Sequence, residues 1–177
     1  MTPFNSGDVK VIIGLGNPGP TFHWTRHNIG FLFVDALAQQ HGVSWRTVGN
    51  VLVATLSSSS GTIMLVKPQT FMNNSGDCVP ALLKKGIRAE QILVVHDELE
   101  KKFGTHQIRL GGSARGHNGL RSLVTRLGEG FWRLRLGIDR PAERDAVAQY
   151  VLAPFTPEEK ARLDAVFQAA QLLLKID

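Results

Sequence analysis

Short β-type runs alternate with helical stretches along almost the whole chain, and this alternation most narrows the folds open to it. Val9 to Leu15 is brief, rich in Val and Ile, and closed by a Gly/Pro cluster, the pattern of a buried strand. Ile29 to His41 carries apolar residues around every turn and runs into Gly42, which predicts a helix with its stop. A strand leading into a helix suggests the opening of a βαβ unit. Val51 to Leu56 and Thr62 to Val66 are β-type runs joined by four serines and Gly61, the composition of a hairpin turn. Ser75 is expected to cap a helix over Val79 to Lys85, and Ile92 to His96 to form a buried strand breaking off at Asp97-Glu98. Thr105 to Leu110 and Trp132 to Ile138 alternate as strands; between them lie the glycine-rich stretch Gly111 to Gly119 and a helical Leu120 to Leu127. Thr156-Pro157-Glu158-Glu159 combines a capping hydroxyl, an early proline and acidic residues, which predicts a last helix reaching about Lys175. No repeat or linker interrupts the series, and 177 residues suit one hydrophobic core. The expectation is α/β: a single three-layer α/β/α domain over residues 1–177, with a mixed, mostly parallel twisted sheet.

No apolar run approaches the roughly 20 residues needed to span a bilayer, and the amino terminus lacks a signal-peptide pattern, so a soluble cytoplasmic protein is expected. One cysteine, Cys78, cannot form an internal disulfide and gives no support to a cysteine-rich zinc site. Between Lys84 and Arg140 there are 12 basic and 6 acidic residues, whereas the remainder has 8 and 9, so one region holds the whole positive surplus. Such a localised field suits a polyanion such as nucleic acid, and equally a solubilising surface. Lys101, Lys102, Arg109, Arg115, Arg121, Arg126, Arg133 and Arg135 are candidates to follow an RNA backbone, with Arg133 and Arg135 on one face of their strand.

Gly14, Gly16 and Gly19 have the spacing of a dinucleotide fingerprint, but Pro18 and Pro20 remove N–H groups that a pyrophosphate would need. The acidic residue expected about 20 positions later at a strand end is also missing. A tight loop after the first strand remains, presenting Asn17. Thr25-Arg26-His27-Asn28 places an imidazole at a helix start, where the macrodipole is expected to disfavour the protonated ring and keep a base available. Alone, a histidine there also reads as a cap or loop residue. Asp97, at the end of an apolar strand, is placed to orient His27 as in a His–Asp dyad, or is an ordinary turn residue. No nucleophile elbow surrounds any serine and Cys78 sits among apolar neighbours, so water is the expected nucleophile. Asn73 and Asn118 bring amides, and Phe71 an aromatic face, to loops that could equally be caps or turns. His23 and His27 stand four apart and His96 adjoins acids, but no metal-site pattern supports them.

The segments GLGNPG, TRHNIG, KPQTFMNNSG, VVHDEL, GGSARGHNGL and FWRLRLGIDRP, in this order and spacing, resemble bacterial peptidyl-tRNA hydrolases over nearly the whole chain. The resemblance implies a metal-free, cofactor-free monomer that hydrolyses the ester between a peptide and the 3′-terminal ribose of tRNA. It implies His27 as the base activating water, Asp97 as its stabiliser, and Asn17 as the residue distinguishing blocked from free aminoacyl ends. Asn73 and Asn118 would contact the tRNA end and order the water. Phe22 and Phe71 would fall at aromatic substrate contacts, and Arg109 and Arg135 at positions meeting tRNA phosphates of the acceptor stem. Three positions depart from the family pattern: Phe22 stands for a usual Tyr, Glu100-Lys101-Lys102-Phe103 for a proline-containing turn, and Arg115 for a glycine. These are expected to tune affinity more than chemistry. Some relatives bind RNA without hydrolysis, and the retention of His27 and Asp97 argues against that reading.

Overall fold

The computed structural model describes residues 3–176. Its centre is one seven-stranded sheet built from β1 (Val11–Gly14), β2 (Arg46–Val48), β3 (Val51–Ser58), β4 (Gly61–Pro68), β5 (Ile92–Glu98), β6 (His106–Leu110) and β7 (Trp132–Gly137). The spatial order is β2-β3-β4-β1-β5-β7-β6. The four central strands, β4, β1, β5 and β7, pair in parallel, while β2, β3 and β6 join antiparallel at the two edges. The sheet is therefore mixed, with its parallel part buried as apolar strands demand.

Helices α1 (Ile29–Gln40) and α5 (Pro157–Leu172) cover one face, and α2 (Val79–Lys84) and α3 (Asn118–Leu127) the other. The period of two along each strand decides this: Leu93 and Val95 of β5 pack with α1 and α5, whereas Ile92 and Val94 pack with Val79, Leu120 and Leu123. Three layers follow from two separate apolar cores. A short helix α4 (Val147–Leu152) leads into α5.

Most boundaries agree with the periodicity to within a residue or two. Thr156 and Glu159 close a reciprocal capping box, but α5 stops at Leu172. Ser75 does not cap α2: it lies within a 3₁₀ stretch, Met72–Cys78, and its hydroxyl donates to the Met72 carbonyl at 2.8 Å. β5 continues past His96 to Glu98 because β7 pairs with it as far as Gly137, so Asp97 sits on the strand. β2, with all three residues exposed, and α4 carry no pattern that periodicity recognises.

One close approach sets the position of everything that follows α1. A Cβ on Gly30 would lie 2.3 Å from the Val95 carbonyl oxygen, and one on Gly14 would lie 2.4 Å from the Gly30 carbonyl oxygen. Only glycine at both places lets the start of α1 rest on the backbones of β1 and β5. The residues just before α1 are thereby delivered to the carboxyl end of β5.

Candidate active site

The carboxyl ends of β1, β4 and β5 open into a cavity of about 900 Å³. This is where an open parallel sheet leaves a crevice between loops of neighbouring strands. Asn17, Phe22, His27, Phe71, Asn73, Asp97, Arg109, Asn118 and Arg135 all line it. The nine residues singled out from the sequence thus converge on one space.

At its base, His27 Nδ1 lies 3.0 Å from Asp97 Oδ1. His117 Nε2 lies 2.9 Å from the same oxygen. A carboxylate oxygen only accepts, so each ring presents an N–H to it. His117 Nδ1 in turn accepts the Leu120 backbone N–H at 3.3 Å, as the amino-terminal cap of α3. Both nitrogens of His117 are committed. His27 Nε2 has no partner among the described residues, so the free lone pair of this group belongs to His27. His117 was not singled out from the sequence; its position at the helix start after the glycine-rich stretch was the available signal.

Burial pushes the His27 imidazole down, but the Asp97 carboxylate beside it, by charge and hydrogen bond, outweighs this and leaves it above 6.5. The expected control by a helix dipole is therefore overturned: a 3₁₀ turn, Arg26–Asn28, separates His27 from α1, and the carboxylate at contact distance dominates. Asp97 is itself buried, which would raise its pKa, yet the two imidazoles hold it below the ordinary carboxylate range. His96, also buried, lines the same cavity with its ring centroid 5.3 Å from that of His117, and is pushed down to about 3 by burial and by His117. Its Nδ1 donates to the Asp97 carbonyl at 2.7 Å.

His27, Asp97 and His117 offer ligand atoms within 4.8 Å of one another, unlike His23, whose exposed ring packs on Trp24. A metal at His117 Nε2 would move the ring proton to Nδ1, against the Leu120 N–H it now accepts. Metal-bound imidazoles instead donate from the second nitrogen. The directions of these bonds suit protons, not a cation.

The Gly14–Gly19 loop is a poor phosphate cradle: Pro18 has no N–H, and two of the loop's donors are spent inside the protein. Leu15 N–H donates to Val95 O, and Asn17 N–H to Asn28 Oδ1 at 2.8 Å. Asn28, at the start of α1, uses its side chain on Asn17 instead of on the helix, also donating from Nδ2 to the Asn17 carbonyl at 2.9 Å. Asn17 Oδ1 accepts the Met72 N–H at 2.7 Å, which fixes the amide and leaves its NH₂ without a hydrogen-bond partner among the described residues. The Asn73 and Asn118 side chains are exposed and make no hydrogen bond to any described residue. Phe71, 60% exposed, meets Phe22 edge to face with centroids 6.1 Å apart at the cavity wall.

The basic residues divide. Arg109 and Arg115 are exposed on the rim. Arg135 is held by Glu98 at 2.7 Å and Gln107 at 3.0 Å, with its side chain only 12% exposed. Arg133 shares that face of β7, as alternation requires, but is buried, donating to the Gly112 and Ser113 carbonyls. It supports the glycine-rich stretch instead of following a backbone.

Residues 11–176 match the family model for peptidyl-tRNA hydrolase. The chain belongs to the peptidyl-tRNA hydrolase family. It is 44% identical over 171 residues to the peptidyl-tRNA hydrolase of Syntrophotalea carbinolica, covering 95% of this chain and 90% of that one. It is 45% identical over 166 residues to that of Geobacillus kaustophilus, covering 92% and 89%. The crystal structure of peptidyl-tRNA hydrolase from Acinetobacter baumannii superposes with a TM-score of 0.88 at 34% identity, covering 98% of this chain and 92% of that one.

The three departures from the peptidyl-tRNA hydrolase pattern lie around the cavity, outside the His27–Asp97–His117 group. Phe22 keeps the ring contact with Phe71. Glu100 forms an ion pair with Arg140 across the rim. Arg115 takes a positive φ of 46°, a conformation that explains the usual glycine there.

Proposed function

We propose that this chain hydrolyses the ester between a peptide, or an N-blocked aminoacyl group, and the 3′ ribose of tRNA, with His27 as general base. The observation that carries the base assignment is the unpartnered Nε2 of His27 beside an Nδ1–H fixed on Asp97. Water gives a proton to His27 Nε2 and its oxygen bonds to the ester carbonyl carbon. The carbon–oxygen bond to the ribose then breaks, and the proton on His27 passes to the departing 3′ oxygen. Asp97 holds the tautomer and stabilises the imidazolium between these steps. No thiol competes for the carbonyl, since Cys78 is buried and its pKa is pushed up to about 12.

Asn17, as a fixed donor, suits the amide carbonyl that an N-blocked substrate has and a free aminoacyl ester lacks; the latter brings a repelled ammonium instead. The Asn73 and Asn118 amides are free to order the water and hold the carbonyl oxygen as charge develops there. Phe71 offers a stacking face to the terminal bases, with Phe22 beside it. Arg109, with Arg135 behind it, gives the acceptor stem a cationic rim that contacts phosphates without reading bases. No helix among the described residues is long and apolar enough to cross a membrane. We read residues 1–177 as one domain acting as a cytoplasmic monomer.

The test uses N-acetylaminoacyl-tRNA and free aminoacyl-tRNA, with chelator present, for the wild type and His27→Ala. Cleavage of the blocked substrate alone, with loss of about 10²–10⁴ in turnover for the variant, is expected. Near-normal turnover by the variant would remove His27 as the base, and tight tRNA binding with no cleavage would leave an RNA-binding protein.

A further inference from the structure

We propose that Arg26 is a positioning residue that holds the His27 turn to the carboxyl-terminal segment, so that the base and the α4 wall of the cavity form one rigid unit. The inference rests on His27 as the base. Arg26 is buried and does not line the cavity. It points away from it, into the junction between α4 and α5. There Nη1 donates to the Pro154 carbonyl at 3.1 Å and Nη2 to Glu159 Oε2 at 2.8 Å. The guanidinium lies 4.4 Å from the Tyr150 ring centroid and 5.7 Å from that of Phe155.

The backbone repeats the attachment. Arg26 N–H donates to Ala153 O at 3.1 Å, Phe155 N–H donates to Trp24 O at 2.9 Å, and Thr25 bridges Pro154 antiparallel. Thus the three residues before His27 are bound to three residues that follow α4 directly. The same α4, which packs against the turn carrying His27, gives Val147, Ala148 and Val151 to the cavity wall. Glu159 is anchored in its own right, since its Oε2 also accepts the Thr156 N–H at 2.7 Å in the capping box of α5.

A planar fork with two directed bonds and a stacked face fixes orientation in a way a flexible ammonium does not. The turn carrying His27 is only three residues long. A rotation of Arg26 therefore carries through one peptide unit into the angle at which His27 meets Asp97. Two other ionisable groups face the His27 side of this contact, Asp97 from β5 and His117 from the start of α3. Neither touches Arg26.

Arg26→Lys keeps the charge and removes the fork, which separates geometry from electrostatics. Two readouts are used: steady-state kinetics on N-acetylaminoacyl-tRNA, and ¹⁵N imidazole NMR of His27 in the free protein. The second does not depend on activity, so failure of the proposed reaction and failure of the positioning role are distinguishable. The expectation is a kcat lower by about ten- to a hundredfold, since small misplacement of a reacting group costs this much, with KM changed less than about twofold. The His27 titration midpoint should move down, because the contact with Asp97 that raises it is loosened. Glu159→Gln, on the outer side of the anchor and compatible with the capping box, should show the same changes on a smaller scale, and it carries the test if Arg26→Lys does not fold. Folded variants with wild-type kcat and an unmoved His27 titration would overturn the proposal. So would a loss of activity matched by the lost folded fraction with the titration unchanged.

Discussion

His27 and His117 stand with ring centroids 4.9 Å apart and direct an N–H to the same oxygen of Asp97, yet only His27 keeps a nitrogen free. Two histidines of similar burial are thereby given different capacities: one can take a proton, and the other can only hold the carboxylate.

This asymmetry predicts unequal variants. His117→Ala should lower kcat about tenfold to a hundredfold through a less constrained Asp97, well short of the loss in His27→Ala. It should also destabilise the fold by about 1 kcal/mol, the usual cost of losing a helix cap. His117→Asn should recover the stability and little of the rate. Thermal unfolding beside turnover measures both, and equal losses of activity in the two alanine variants would contradict the division of roles.

The acid limb of kcat/KM follows from the His27 environment. If His27 is the base, it must be unprotonated to act, and with its pKa raised above the ordinary 6.5, activity should rise with pH through a midpoint above that value. Asp97→Asn removes the influence that raises His27 and leaves burial, so the midpoint should fall below 6.5 while kcat drops by about a hundredfold or more. The linked stability has the matching sign: the His27 contribution is full below 6.5 and is lost as pH rises through the folded value. That of Asp97 is present above 3.8 and is lost as pH falls through its lowered value. A limb that stayed in place in Asp97→Asn would show that another group controls it.

Salt dependence separates the two arginines. Arg109 is exposed and free, so Arg109→Ala should reduce the slope of log affinity for tRNA against log salt by about one counterion. Arg135 is already neutralised by Glu98 at 2.7 Å. Arg135→Ala should change the slope less while weakening binding through the freed Glu98 carboxylate. Identical slopes for both variants would contradict the contrast.

At the aromatic wall, Phe71→Ala should raise KM by about tenfold, within the 1–3 kcal/mol that stacking on one base contributes, with kcat little changed. Phe22→Tyr adds a hydroxyl beside an intact ring pair and should alter KM more than kcat. A rise in turnover of orders of magnitude in Phe22→Tyr would mean that the hydroxyl belongs to the chemistry.

The alternation of strand and helix, the reach of α1, the hairpin of β3 and β4 and the capping box of α5 were legible in the chain itself. Each depends on neighbours within a few positions, where backbone periodicity, caps and turn residues act. The motifs around Asn17, His27, Asn73, Asp97 and Asn118 were legible as a set, through their order and spacing. Other features depend on which strands become neighbours, and no local pattern carries that. β2 forms only because β3 offers it an edge, and β5 extends to Glu98 only because β7 lies beside it. The contact between His27 and Asp97 spans 70 residues and exists because Gly14 and Gly30 let α1 rest on the sheet. That Arg133 is buried beneath the glycine-rich stretch, and that Arg135 is paired with Glu98, were likewise decided by burial and by partners from other segments. Residue type and local order determined which side chains this chain has for the chemistry; tertiary packing decided which nitrogen is free, which carboxylate is shared and which arginine still faces solvent, because hydrogen-bond partners and desolvation are properties of the assembled neighbourhood.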